Sequence, residues 1–328
     1  MNIVATGLYV PGEPIDNAEL MKLAGIEFDA DRTEAKLGIA RRHIAHLRGI
    51  DETSADFAEK AARDAIERAG IDPQEIGLFI VATDTPEYIS PATSMLLQGR
   101  IQRGQRYAGT FDVNASCSSF VAALHTAQAI VKADRAIRYA CVVGLYNMPA
   151  YVRPGDVFGY SIFADGAAAF IIEDGDGYRG GQLLADGTQY DYVGVYAGGT
   201  RHPVTAERLA AGQYGLELLQ RLPGDRNVKL WPDMVDTLLT KIGRSRDQID
   251  HYLFTQINRS VIEQVMEILG QPLSKTTTVM NRYGYTGSAC IPMAFHTAVT
   301  EGRVKRGDTV MAVASGAGLA VAAGCWTY

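Results

Sequence analysis

The thiol of Cys117 is the side chain best placed for chemistry. An apolar strand at Phe111-Asp112-Val113 runs through Asn114-Ala115-Ser116 to the cysteine, and an amphipathic helix follows from Ser118. A thiol at a helix start lies beside unpaired backbone N–H groups and the positive end of the helix dipole, which favour the thiolate. Thiolate is the nucleophilic form, so covalent catalysis by Cys117 is expected. Cys141, Cys290 and Cys325 lie in apolar runs and are expected to pack as small hydrophobic groups. No two of the four cysteines form a Cys-x-x-Cys pair, so neither a metal site nor a disulfide framework is expected, and the thiols are expected to be reduced.

A base is harder to find among the six histidines. His296 follows Tyr285 by eleven residues, about 16 Å along a helix at 1.5 Å per residue, and reads as structural. His125, two turns into the helix after Cys117, reads the same way. His43, His46, His202 and His251 read as surface or turn residues. Ser315-Gly316-Ala317-Gly318 ends a strand with no acidic residue at the spacing a dinucleotide fingerprint needs, so no nicotinamide cofactor is expected.

The elements that must position Cys117 occur twice. Helical periodicity over Ser54–Ala69 leads through Gly70-Ile71-Asp72-Pro73 into a buried strand, Ile76–Ala82. The same order returns as a helix from Met234 to Ile242, a turn over 243–248 and a strand over 249–254. The Cys117 segment matches Thr278 to Ala294, and Tyr139–Gly144 matches Thr309–Gly316. This duplication predicts an α/β fold of two halves, residues 1–172 and 173–328, related by a pseudo-two-fold, with mostly parallel sheets covered by helices. Cys117 then faces the region of Tyr285 across a crevice at strand ends. Asp174 to Arg226, poor in long apolar runs, reads as edge strands and loops near its entrance.

The chain has 328 residues, 47% of them hydrophobic and 21% charged, enough for a large core in more than one unit. A net charge of −6 without a Lys/Arg run argues against nucleic-acid and membrane partners and for small ligands. The first residues read as a strand, and no apolar run approaches the length of a membrane span. A cytoplasmic location is therefore expected.

With these features assembled, the chain resembles the β-ketoacyl-acyl-carrier-protein synthase III group of thiolase-fold condensing enzymes over essentially its whole length. The resemblance is carried, in order, by Gly7-Leu8-Tyr9-Val10-Pro11-Gly12, Leu37-Gly38-Ile39-Ala40-Arg41-Arg42-His43, Ala82-Thr83-Asp84-Thr85-Pro86, Asn114-Ala115-Ser116-Cys117, Phe163-Ala164-Asp165-Gly166-Ala167-Ala168, Tyr283-Gly284 and Ser315-Gly316-Ala317-Gly318. It implies a layered α-β-α-β-α homodimer that needs no cofactor and takes acyl-coenzyme A or acyl-carrier protein as substrate. In that group the cysteine takes the acyl group, which then condenses with a decarboxylating malonyl thioester. The resemblance places Cys117 in that role, with an oxyanion hole from the N–H groups of Cys117 and the Gly316-Ala317 loop.

Two expected residues are replaced. The group's His-Gln-Ala-Asn falls on Thr255-Gln256-Ile257-Asn258, so Thr255 replaces the histidine, and the asparagine after Tyr/His-Gly falls on Tyr285. That pair would stabilise the enolate left by carbon dioxide, each donor contributing on the order of 3 kcal/mol. A hydroxyl and a phenol donate hydrogen bonds but are poor bases near neutral pH. The resemblance makes Thr255 and Tyr285 the candidate catalytic partners of Cys117. It makes Arg32, Lys36, Gln256 and Asn258 candidate substrate contacts, with Glu87 and Ser90 on the loop that reaches a partner subunit's acyl pocket. The leading expectation is an acyltransferase that passes acyl from Cys117 to a hydroxyl, amine or carbon nucleophile in secondary-metabolite or specialised lipid synthesis. A decarboxylative synthase using Thr255 and Tyr285, or a non-catalytic subunit of a heterodimer, are the alternatives.

Overall fold

The computed structural model describes residues 1–328. Nine strands form its two main sheets. The first sheet holds β1 (Asn2–Tyr9), β2 (Ile76–Ala82), β3 (Gly109–Val113), β4 (Tyr139–Tyr146) and β5 (Gly166–Glu173) in the order β1-β5-β4-β2-β3. The second holds β6 (Tyr178–Gln189), β7 (His251–Phe254), β8 (Thr309–Gly316) and β9 (Gly318–Thr327) in the order β7-β8-β9-β6. Pairing is parallel between β4 and β2, β2 and β3, and β7 and β8. It is antiparallel where β1, β5, β6 and β9 join. β8 and β9 are joined through Ala317 alone, a connection too short for any crossover, so their antiparallel pairing is obligatory.

The principal helices are α1 (Ala30–Leu37), α2 (Ser54–Ala69), α3 (Ser119–Ala133), α4 (Arg226–Ile242), α5 (Arg259–Ile268) and α6 (Cys290–Thr300). Their composition decides their layer. α2 buries one stripe, Phe57, Ala58, Ala61, Ala62 and Ala65, and covers the outer face of the first sheet. Its start is fixed by a capping box between Thr53 and Asp56 and its end by Gly70 in the left-handed region. α3 and α6 are apolar on nearly all sides and lie between the two sheets. α4 covers the outer face of the second sheet and α5 packs beside it. The result is five layers, helix–sheet–helix–sheet–helix.

Two details differ from the sequence reading. α4 begins at Arg226, eight residues before the expected Met234, because Pro232 is accommodated inside the helix. The segment expected to be the second half's counterpart of β3 is not a strand, and its only ladder contact is a single bridge between Tyr252 and Thr276. The Gln256 amide stands in for the ladder there, its Nε2 donating to the carbonyls of Phe254 (2.8 Å) and Thr277 (3.2 Å) while its Oε1 accepts from Val279 N–H (2.7 Å). His251, expected at the surface or in a turn, is buried in β7 with Nε2 2.8 Å from Thr277 Oγ1, and His43, read the same way, is likewise buried. No helix is long and apolar enough to cross a membrane.

Candidate active site

Three neighbouring parallel strands, β2, β3 and β4, deliver their carboxyl ends to one place. Asp84 follows the end of β2 by two residues, Cys117 follows β3 by four, and Tyr146 is the last residue of β4. Crevices at such strand ends are where α/β proteins bind ligands. Here a cavity of about 560 Å³ opens beside the thiol, within the size range of small-molecule sites. The second half supplies its far wall with Thr255, Tyr285, Ser315 and Gly316, and the start of α4 contributes Arg226.

Cys117 is presented by a turn that the sequence builds from small polar residues. Ser116 has φ +49°, a left-handed conformation uncommon outside glycine, and such strain is characteristic of residues that project a nucleophile. Side chains hold it there: Ser116 N–H donates to Asn114 Oδ1 at 3.1 Å, Ala115 N–H donates to Ser119 Oγ at 2.8 Å, and Ser118 Oγ donates to the Ala115 carbonyl at 2.6 Å. From the other half, the end of β8 comes so close that a Cβ on Gly316 would lie 2.6 Å from Cys117 N and 2.7 Å from Ser116 Cβ. Only glycine permits this approach.

The thiol's surroundings correct the expectation of a thiolate at a helix start. Cys117 lies two residues before α3, and burial pushes its thiol well above the ordinary cysteine value. The charge of Asp84 pushes the same way, and a hydrogen bond from the Tyr285 hydroxyl opposes both. The Tyr146 hydroxyl also reaches this sulfur. The thiol is therefore held in its neutral form.

Tyr285 is fixed by its main chain as well as its ring. Its N–H donates to the Ile162 carbonyl at 3.1 Å and its carbonyl accepts from Ala164 N–H at 3.0 Å, a short parallel bridge that stitches the halves together. The ring is buried, 5.7 Å from Phe163 and 6.3 Å from Tyr146 between centroids. Gly287 makes room for Tyr146, since a Cβ there would fall 2.1 Å from its ring.

The other expected site residues divide. Thr255, Asn258, Lys36, Gly316 and Ala317 line the cavity with Cys117 and Tyr285, whereas Gln256, Arg32, Glu87 and Ser90 do not. Thr255 is present but spent, because its Oγ1 accepts from Ser315 N–H at 2.8 Å and donates to the Ser315 carbonyl at 3.4 Å. Asn258 Oδ1 is taken by Ser260 Oγ at 2.8 Å and caps α5. Gln256 is corrected from a substrate contact to a fully buried strut, for the hydrogen-bonding reason given above. Glu87 grips the start of α2, accepting from Thr53 Oγ1 and Ala55 N–H at 2.9 Å each. Arg32 and Ser90 are exposed.

Sequence reasoning missed Asp84, Tyr146 and Arg226 as site residues. Asp84 and Tyr146 carried a signal, since each lies at the carboxyl end of a strand whose neighbour delivers Cys117. Arg226 carried none, because the helix that orients it was expected to start later.

Comparison with known proteins agrees with this geometry. Residues 111–187 match the family model 3-oxoacyl-[acyl-carrier-protein] synthase III, and residues 239–328 match the model of that enzyme's C-terminal part. The β-ketoacyl-[acyl-carrier-protein] synthase III of Sinorhizobium medicae is 36% identical over 291 residues, covering 86% of each chain. This chain belongs to the synthase III family of condensing enzymes. The Methylococcus capsulatus synthase III is 32% identical over 97% of this chain and 96% of its own. The crystal structure of 3-oxoacyl-[acyl-carrier-protein] synthase III from Aquifex aeolicus VF5 superposes with a TM-score of 0.85 at 27% identity, covering 99% of both chains. The fold is therefore the thiolase fold of this family.

Proposed function

We propose that this family member is an acyltransferase whose Cys117 takes an acyl group from acyl-coenzyme A or acyl-carrier protein and passes it to a hydroxyl, amine or preformed carbon nucleophile. The observation that carries this reading is Tyr285. Its packed ring and its hydroxyl on the Cys117 sulfur fill the side of the nucleophile where a decarboxylating donor would need its carbonyl held. Thr255, the other residue at a replaced position, has its hydroxyl tied to Ser315. Acylation needs less: a thiol, a leaving thiol to take its proton, and backbone N–H groups to receive the oxyanion. The contact of Gly316 with Cys117 N–H supports that last role for this pair of segments. Lys36 and Arg226 give the cavity positive charge suited to the phosphates of coenzyme A or a phosphopantetheine arm. A hydroxyl, amine or carbon acceptor suits a role in specialised lipid or secondary-metabolite synthesis. Exposed Tyr88, Ile89 and Met95, close together in the chain, support a homodimer.

Decarboxylative condensation is the second reading, supported by the names of relatives as similar as 36% identity. Intact-protein mass spectrometry after incubation with acyl-coenzyme A thioesters separates the two. Wild type is expected to gain one acyl group that Cys117→Ala does not, and to release no labelled carbon dioxide from carboxyl-labelled malonyl-coenzyme A or malonyl-carrier protein. Carbon dioxide release that depends on Cys117 would establish the condensing reading instead. The absence of any adduct would leave a non-catalytic subunit.

A further inference from the structure

The cavity around Cys117 contains no histidine and a single carboxyl group, that of Asp84. Its main chain is pinned on both sides. Thr83 N–H donates to the Val113 carbonyl at the end of β3, and Thr83 Oγ1 accepts from Thr85 N–H at 2.9 Å. Thr85 Oγ1 in turn accepts from Asn147 N–H, just beyond β4. The main chain on either side of Asp84 is thus held between two strand ends, and the carboxyl Oδ1 is buried without a hydrogen-bond partner. No lysine or arginine forms an ion pair with it. A buried carboxyl oxygen without a partner, on a group without a counter-ion, is costly to stability, and such groups are retained where chemistry uses them. Packing alone would be served better by a neutral side chain.

We propose that Asp84 is the general base of the transfer step. This assignment rests on the acyl-Cys117 reading above. The Asp84 carboxylate accepts the proton of the acceptor hydroxyl or amine as its oxygen or nitrogen bonds to the acyl carbon. The carbon–sulfur bond to Cys117 then breaks, and the proton passes from Asp84 to the departing thiolate. Atoms and charge balance without any further reactant. The titratable groups facing Asp84 are Cys117 from the turn after β3, Tyr146 from β4 and Tyr151 just beyond it, with Glu87 on its own loop. None is a cation, and burial raises the carboxyl to about 6, so it is an available base at neutral pH.

The test compares wild type with Asp84→Asn, each loaded with a hexanoyl group from hexanoyl-coenzyme A. Loss of the hexanoyl adduct to water and to 2-aminoethanol is followed by intact mass from pH 5 to 8. Wild-type loss should rise to a plateau above about pH 6. The variant should lose its adduct about 100-fold more slowly, within the range for a removed general base, and without that inflection. Alkylation of the free enzyme by iodoacetamide should move the other way. Removing the Asp84 charge eases ionisation of Cys117, so the variant should alkylate faster. A disrupted site would slow both reactions and would overturn the proposal, as would wild-type loss rates with an unchanged profile. If hexanoyl-coenzyme A leaves no adduct on wild type, the acyltransfer reading fails. p-Nitrophenyl hexanoate, which needs no coenzyme recognition, then loads Cys117 for the same decay measurement, so that Asp84 is judged separately.

Discussion

At the scale of single residues, the cysteine in this site is controlled by hydroxyls. The Tyr285 hydroxyl donates to the Cys117 sulfur and lowers its proton affinity against burial and Asp84. Tyr285→Phe removes that donor while keeping the ring packed on Tyr146 and Phe163. Cys117 should then ionise at higher pH, and its alkylation by iodoacetamide at pH 8 should slow about fivefold, the equivalent of roughly 1 kcal/mol for one hydrogen bond. An unchanged rate would show that the phenol is only packing. Cys117 itself was legible in the sequence because a strand, a run of small residues and a helix announce a nucleophile turn without any tertiary knowledge. The state of its thiol was not legible. It is set by the carboxyl group of Asp84 and the phenol of Tyr285, 33 residues before it and 168 after it in the chain.

At the scale of elements, periodicity and turn signals transferred faithfully from sequence to structure where they were local. Thr53, Asp56 and Gly70 bound α2 at Ser54–Ala69, as the periodicity implied. They failed where a global contact overrode a local signal. Pro232 marks a boundary in most helices, but the apolar face of α4, including Trp231 and Val235, is buried and carries the helix through it. The missing strand opposite β3 is the clearest case. The repeat predicts a strand, yet a glutamine side chain takes over its hydrogen bonds. Gln256→Leu should therefore destabilise the protein by about 2–4 kcal/mol, since it leaves the Thr277 carbonyl and Val279 N–H buried and unpaired. Urea unfolding would measure this, and a shift below about 0.5 kcal/mol would mean that those groups find other partners.

For the whole molecule, the stability that matters is that of the contact between the two halves and the segments crossing it. Asp165 lies in such a segment, beside the Ala164–Tyr285 bridge. It is fully buried, with Oδ2 accepting from Ala45 N–H at 2.7 Å and Oδ1 unpartnered. Burial raises its carboxyl from 3.8 to about 8. Because the folded value exceeds the unfolded one, the folded state holds the extra proton. The contribution is complete below about pH 4 and is lost as pH rises through 8. Thermal unfolding midpoints should therefore fall between pH 5 and 8 more steeply for wild type than for Asp165→Asn, and equal slopes would refute the assignment. The five layers were legible through the family resemblance, and the structure supplies their physical reason, that α3 and α6 are apolar on nearly all sides whereas α2 buries one face.

The approach of Gly316 to Cys117 N–H has a consequence for how the site opens. The turn that carries the nucleophile is braced by the last residue of a strand in the second sheet, not by a loop of its own. The amides bonded within that turn, Ser118 N–H to the Ala115 carbonyl and Ser119 N–H to the Ser116 carbonyl, should therefore resist deuterium exchange until the two sheets' ends loosen, and their protection factors gauge how firmly those ends are held together.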